Sequence, residues 1–403
     1  MKADNLAALR SSRIWLRASD CRVEDLAALV ERQTDLADYP FAADIAERVL
    51  IYDGEAVREA AADPIQRRAL MAEWVTAFAE GPGIVVLRRA FADPAPVQAV
   101  TRAFEAMIDA QHASGHSAGD HFAKPGTNDR VWNALEKLCL ATPEAFAAYY
   151  ANTCLALVSE AWLGPLYQMT SQVNRVNPGG AAQAAHRDYH LGFLGPRASE
   201  RFPAQVHRLS PGLTLQGAVA HCDMPLESGP TLFLPYSQLY ESGYLVADLP
   251  EFRAYFDAHR VQLPLSLGDA VFFNPAVLHA AGSNVSRDIR RMANLLQVSS
   301  AYGRAMESED RTRMSIALYP TLAAMQADGR LGAAGVENAL ACCAEGYAFP
   351  TNLDRDPPIG GLAPASQQDL MRQALAEGWS KEAFAEAARA QAARRLSEGG
   401  PPD

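Results

Sequence analysis

The sequence predicts an α+β fold in which a β-rich centre lies between two helical ends. Three observations carry that prediction. Residues 168–300 hold many short runs rich in Val, Leu, Phe and Thr, divided by Pro and Gly turns. Before about residue 80 and after residue 301, apolar residues recur instead at three- and four-residue spacing, the period of one helix face. The central runs are short and evenly spaced, as in two packed sheets that close on each other. That architecture is a double-stranded β-helix, a jelly roll of the cupin type. The expected division is a helical extension over 1–79, the β-helix core with packing helices over 80–300, and a second helical extension over 301–403.

Element by element, residues 23–32, 41–51 and 55–79 read as helices, with Pro40 and Pro64 as punctuation. Residues 83–87 are an apolar run bounded by Gly and Pro, which fits a buried strand. Asp93 caps a helix that opens at Pro94 and runs to Ala110. A helix over 141–162 takes Thr142 as its cap and Pro143 as its opening. Strands follow over 168–177, 186–193, 213–221, 231–235, 261–265, 269–274 and 291–299, with a helix over 250–260. Beyond Tyr302 the chain returns to helix, and 367–397 reads as one amphipathic helix, packed or solvated.

Composition narrows the function. Apolar residues make up 49% of the 403, enough for a large packed core. Net charge is −11, from 36 basic and 47 acidic residues, so no basic footprint marks the chain for nucleic acid or an anionic membrane. The first residues hold no apolar signal core, and no apolar run of spanning length follows; the expectation is a cytoplasmic protein acting on a small molecule. Six sparse cysteines without a framework spacing fit reduced thiols.

Two segments carry the chemistry. The first is Ala185-His186-Arg187-Asp188-Tyr189-His190, and the second ends in Val277-Leu278-His279, followed by Asn284, Ser286 and Arg290. Residues i and i+2 of an extended strand share a face, so His186 and Asp188 can grip one metal ion from one side. His279, from a neighbouring strand, supplies a third ligand. Two imidazoles and one carboxylate with the opposite side open form the facial triad of non-haem Fe(II) oxygenases. Arg290, eleven residues after His279, offers a guanidinium fork for a carboxylate. Metal and carboxylate clamp together point to an iron enzyme that uses 2-oxoglutarate. A His-x-Asp alone is weak evidence, and His221-Cys222-Asp223 is a second copy. His221 reads as a partly buried strand histidine with a hydrogen-bond partner.

Flanking segments add specificity. Ser171-Gln172-Val173-Asn174-Arg175-Val176-Asn177-Pro178-Gly179 and the stretch from Asp223 to Gln238 stand in order around the ligand segments. With them, residues 80 to 300 resemble the phytanoyl-CoA dioxygenase family of Fe(II)/2-oxoglutarate oxygenases. Ser228, Tyr236 and Gln238 replace the family's usual Asn, Gly and His. The resemblance implies that His186, Asp188 and His279 ligate Fe(II). It also implies that Arg290 holds the remote carboxylate of 2-oxoglutarate, while Arg287 and Arg291 face solvent. Asn174 stands where relatives place a polar residue against the co-substrate; bonding to a neighbouring strand is the alternative. Ala281 stands where relatives carry Ser or Thr, so Thr231, Ser283 or Lys124 would supply the second contact. The retained Asp188 implies hydroxylation with O2, releasing succinate and CO2, and argues against halogenation.

Other residues receive blander readings. His112, His116 and His121 lie in a Ser/Gly loop with no fourth ligand, and residues 122–132 suit a substrate lid. Tyr189 and His190 would line the pocket, His190 not as a ligand. Two rival classes remain. A cupin-like metalloenzyme without 2-oxoglutarate would not need a carboxylate clamp, and a non-catalytic binding protein on the same fold would not need three intact ligands.

Overall fold

The computed structural model describes residues 11–114 and 126–397. Its strands begin, in chain order, with β1 (Asp44–Ala46), β2 (Val49–Asp53), β3 (Ile84–Arg88), β4 (Asn128–Val131), β5 (Gln168–Val176) and β6 (Thr214–Ala220). They continue with β7 (Leu232–Phe233), β8 (Val261–Gln262), β9 (Ala270–Phe273), β10 (His279–Ala280) and β11 (Arg291–Ser299). Eight of them form one large sheet in the order β1-β2-β3-β9-β6-β11-β5-β4. Only β2 and β3 run parallel; the other pairings are antiparallel. A smaller sheet, β10-β7-β8, is extended by single bridges between His186 and His279 and between Met224 and Leu265.

Alternation along each strand sorts the core. Val85 and Leu87 of β3, Val173 of β5, Leu215 and Val219 of β6 and Leu296 and Val298 of β11 pack on the helix-covered side of the large sheet. Ile84 and Val86, Ala218 and Ala220, and Val271 and Phe273 pack on the other side, against Phe233, Val261 and Leu265 of the smaller sheet. Gly217 lets the ring of Phe272 cross it, since a Cβ there would lie 2.5 Å from that ring. Phe272 is fully buried, so truncation to Ala would cost about 3–5 kcal/mol.

The structure corrects several expected elements. Residues 41–51 are not helical: β1 and β2 form a hairpin whose turn residues, Glu47 and Arg48, take φ of 50° and 68°. Val49 to Tyr52 are buried, and a strand buried on both faces loses the alternation that would distinguish it from a helix. The helix expected over 141–162 is two, Pro143–Tyr150 and Thr153–Leu163. Asn152 starts the second by accepting the Leu155 N–H at 3.1 Å. The C-terminal helix is also two, Gln367–Glu377 and Lys381–Arg395, parted at Gly378 in a left-handed conformation. The strand expected over 186–193 contracts to the bridge at His186 and a 3₁₀ turn, His190–Phe193. Residues 128–131 form edge strand β4 rather than a lid, while 122–125 lie outside the described residues.

Candidate active site

The two strand ends that meet at the His186–His279 bridge set the geometry of the site. His186 N donates to His279 O at 3.0 Å and His279 N donates to His186 O at 3.1 Å, which fixes the two backbones side by side. Each imidazole then bonds a backbone carbonyl two residues upstream through Nδ1: His186 to Ala184 O at 2.9 Å, and His279 to Val277 O at 3.0 Å. With the Nδ1 protons engaged, both Nε2 atoms turn toward Asp188, at 3.5 Å from Oδ1 for His186 and 3.4 Å from Oδ2 for His279. One ligand atom from each of the three residues lies within 4.8 Å of the others.

Electrostatics suit a cation. Burial alone would raise the Asp188 carboxyl, but the two imidazoles hold it well below the usual carboxylate range. Burial, with the neighbouring His186 charge, pushes His279 down. Burial also acts to lower His186, yet contact with Asp188 leaves its pKa raised. Two imidazole nitrogens and a carboxylate oxygen on one side of an open cavity fit Fe(II). Gln216 of β6, which the sequence reading missed, donates its Nε2–H to Asp188 Oδ2 at 2.6 Å.

The turn after Asp188 removes a competing ligand. Tyr189 and His190 both take positive φ, 65° and 47°, unusual for side-chain-bearing residues. The chain thereby swings His190 toward Thr214, whose Oγ1 lies 3.2 Å from its Nε2.

The triad lines a cavity of about 720 Å³, together with Arg130, Trp132, Asn174, Thr231, Arg291 and Gln297. Asn174 and Thr231 thus line the same cavity as the triad. Arg290 does not. It is exposed and absent from the cavity wall, whereas Arg291 is only 7% exposed and lines the cavity. The cause is the turn before β11. Asn284 donates to Val176 O and Ile289 O and accepts from Ser286, so the strand begins at Arg291. Alternation then puts Arg291, Ala293 and Leu295 on the cavity face. Burial pushes the Arg291 guanidinium down to about 10, and it makes no ion pair or hydrogen bond among the described residues. A buried cation without a partner is costly until an anion reaches it.

Of the remaining candidates, Ser283 is exposed and accepts the Ala182 N–H through Oγ at 2.9 Å, while Lys124, His116 and His121 lie outside the described residues. His112 contacts Asp129 at 2.6 Å. His221 is buried and belongs to no metal-ligand group among the described residues. Thr101 donates to Val97 O, so His221 Nδ1–H donates to Thr101 Oγ1, and the Tyr149 hydroxyl donates to Nε2. Asp223 is exposed and accepts the Leu267 N–H.

Comparison with known proteins follows the same line. Residues 65–292 match the phytanoyl-CoA dioxygenase (PhyH) family. Among solved structures, the non-heme alpha ketoglutarate dependent carbocyclase SnoK from nogalamycin biosynthesis is 22% identical. The match covers 58% of this chain and 86% of that one, with a TM-score of 0.43. The non-heme alpha ketoglutarate dependent epimerase SnoN, from the same biosynthesis, is also 22% identical, over 59% and 85%, with a TM-score of 0.40. AviO1 from Streptomyces viridochromogenes Tue57 is 20% identical over 58% and 97%, with a TM-score of 0.42. No curated protein matches the chain. Among the described residues, no helix is long and apolar enough to cross a membrane.

Proposed function

Because this chain belongs to the phytanoyl-CoA dioxygenase family, with iron and 2-oxoglutarate as its metal and co-substrate, we propose that it hydroxylates a C–H bond of a small molecule. The two sheets support a double-stranded β-helix, since the chain alternates between them from β5 through the His186 bridge, β6, β7–β8, β9 and β10 to β11. One observation carries the functional reading: three ligand atoms converge in a cavity whose wall also holds an unpaired buried guanidinium.

In this reading His186, Asp188 and His279 hold Fe(II). When bound, the metal and 2-oxoglutarate supply the oxidising chemistry, consuming O2 and releasing succinate and CO2. The protein's part is placement. Arg291, rather than Arg290, takes the remote carboxylate of 2-oxoglutarate and so satisfies its own buried charge. Thr231 and Asn174 line the same cavity and would hydrogen-bond the co-substrate. Val271, Phe273 and Leu295 keep that region apolar, which excludes water and strengthens the charge contacts. Three protein ligands, with His190 turned aside, leave room for co-substrate and O2. An intact Asp188 favours hydroxylation over halogenation, because no ligand position is left for chloride.

Succinate release tests the reading. Purified protein supplied with Fe(II) and 2-oxoglutarate should release succinate, and a metabolite extract should stimulate it and yield products heavier by one oxygen. A chlorinated product in high chloride, or product formation independent of 2-oxoglutarate, would contradict it.

A further inference from the structure

Gln216 lies at the centre of the large sheet, on β6 between β9 and β11, with Phe273 and Gln297 as its register neighbours. A glutamine only 6% exposed in such a place needs a polar reason to be there. Its Nε2 lies 2.6 Å from Asp188 Oδ2, a short contact of the kind an ionised acceptor makes. The acceptor can only be a carboxylate oxygen, so the amide must present its nitrogen to Asp188 and not its oxygen. Asp188 itself lies outside the named strands, between the strained Tyr189 and the His186 bridge, so no ladder partner holds its backbone.

We propose that Gln216 is the positioning residue of the metal centre. By engaging Oδ2, it holds the Asp188 carboxylate so that Oδ1, the oxygen facing His186, is the one offered to the metal. A carboxylate held in this way cannot swing to present both oxygens, and a coordination position is preserved for the reactants. The inference rests on the reading of His186, Asp188 and His279 as ligands.

The test uses cobalt(II) as the probe, because its visible spectrum reports coordination number. Wild type, Gln216→Met, Gln216→Glu and His186→Ala are titrated with cobalt(II), with the thermal midpoint of each metal-free protein as a check on folding. Gln216→Met keeps the volume and loses the donor. It should bind cobalt about 10–100-fold more weakly, the range for losing an outer partner of a metal ligand. Its spectrum should shift as well. Gln216→Glu keeps the shape but sets a second carboxyl against Asp188 that competes with it for a proton or for the metal, so its spectrum should also shift, and this variant decides the matter if Gln216→Met does not fold. Binding unchanged within about threefold together with a wild-type spectrum would overturn the proposal. Wild-type protein that binds no cobalt, or His186→Ala that binds it normally, would overturn the ligand reading and this inference with it.

Discussion

His186-Arg187-Asp188 and His221-Cys222-Asp223 share one pattern and differ in everything around it. In the first, His186 spends its Nδ1 proton on a backbone carbonyl, as His279 does, and His186 and Asp188 line an open cavity with His279. In the second, both ring nitrogens of His221 are consumed by Thr101 and Tyr149, its ring packs near Phe104, and Asp223 faces outward. Metal binding needs lone pairs that are free and convergent, and the environment decides that, not the pattern. Arg290 and Arg291 repeat the lesson one residue apart: the same side chain is solvated at one position and a buried, unpaired cation at the next.

The largest expected effect breaks the first pair apart. His186→Ala, Asp188→Ala and His279→Ala should each lose iron in anaerobic titration, well beyond the ~10–100-fold of an outer partner. His221→Ala should keep wild-type iron affinity while losing about 1–3 kcal/mol of stability from the stranded Thr101 and Tyr149 groups. Denaturant unfolding beside the titration checks both halves.

The arginine pair comes next. Arg291→Ala should weaken 2-oxoglutarate binding by about 2–5 kcal/mol, the cost of removing one partner of a buried charge pair. Arg290→Ala should change it by less than about 0.5 kcal/mol. Calorimetry with manganese in place of iron measures both, and equal losses would remove the clamp argument.

His221 leaves a smaller, pH-dependent mark. Burial pushes it down to about 3 from the ordinary 6.5, so between those values the unfolded chain takes up a proton that the folded chain refuses. Its contribution is complete above about pH 6.5 and declines as pH falls toward 3, by at most about 1.4 kcal/mol per unit. From pH 6.5 to 5, wild type should lose about 1.6 kcal/mol more stability than His221→Gln. Denaturant midpoints at the two pH values give the difference, and parallel curves would mean that His221 is not held neutral.

Much of this was legible in the sequence, for physical reasons. Gly83 and its apolar run announce β3, and Pro250 opens its helix where expected, because turn residues and period are local signals. The hairpin of β1 and β2 was hidden because a fully buried strand shows no alternation. Edge strand β4 was hidden because Asn128, Asp129 and Arg130 are polar: Asp129 is buried where Arg175, His112 and Asn177 all bond its carboxylate. Arg291 was missed because β11 mixes polar and apolar residues on both faces, so its inward face depends on where the Asn284 turn releases the chain. Gln216 carried no local signal. Its role exists only once β6 lies beneath Asp188.

The central claim is that one His-x-Asp unit, with His279, supports 2-oxoglutarate-dependent oxidation by O2. Wild type, His186→Ala and His221→Ala, each incubated with Fe(II), 2-oxoglutarate and ¹⁸O₂, test it directly through the mass of the succinate formed. The account predicts singly labelled succinate from wild type and His221→Ala, and none from His186→Ala. Labelled succinate from His186→Ala, with none from His221→Ala, would contradict it.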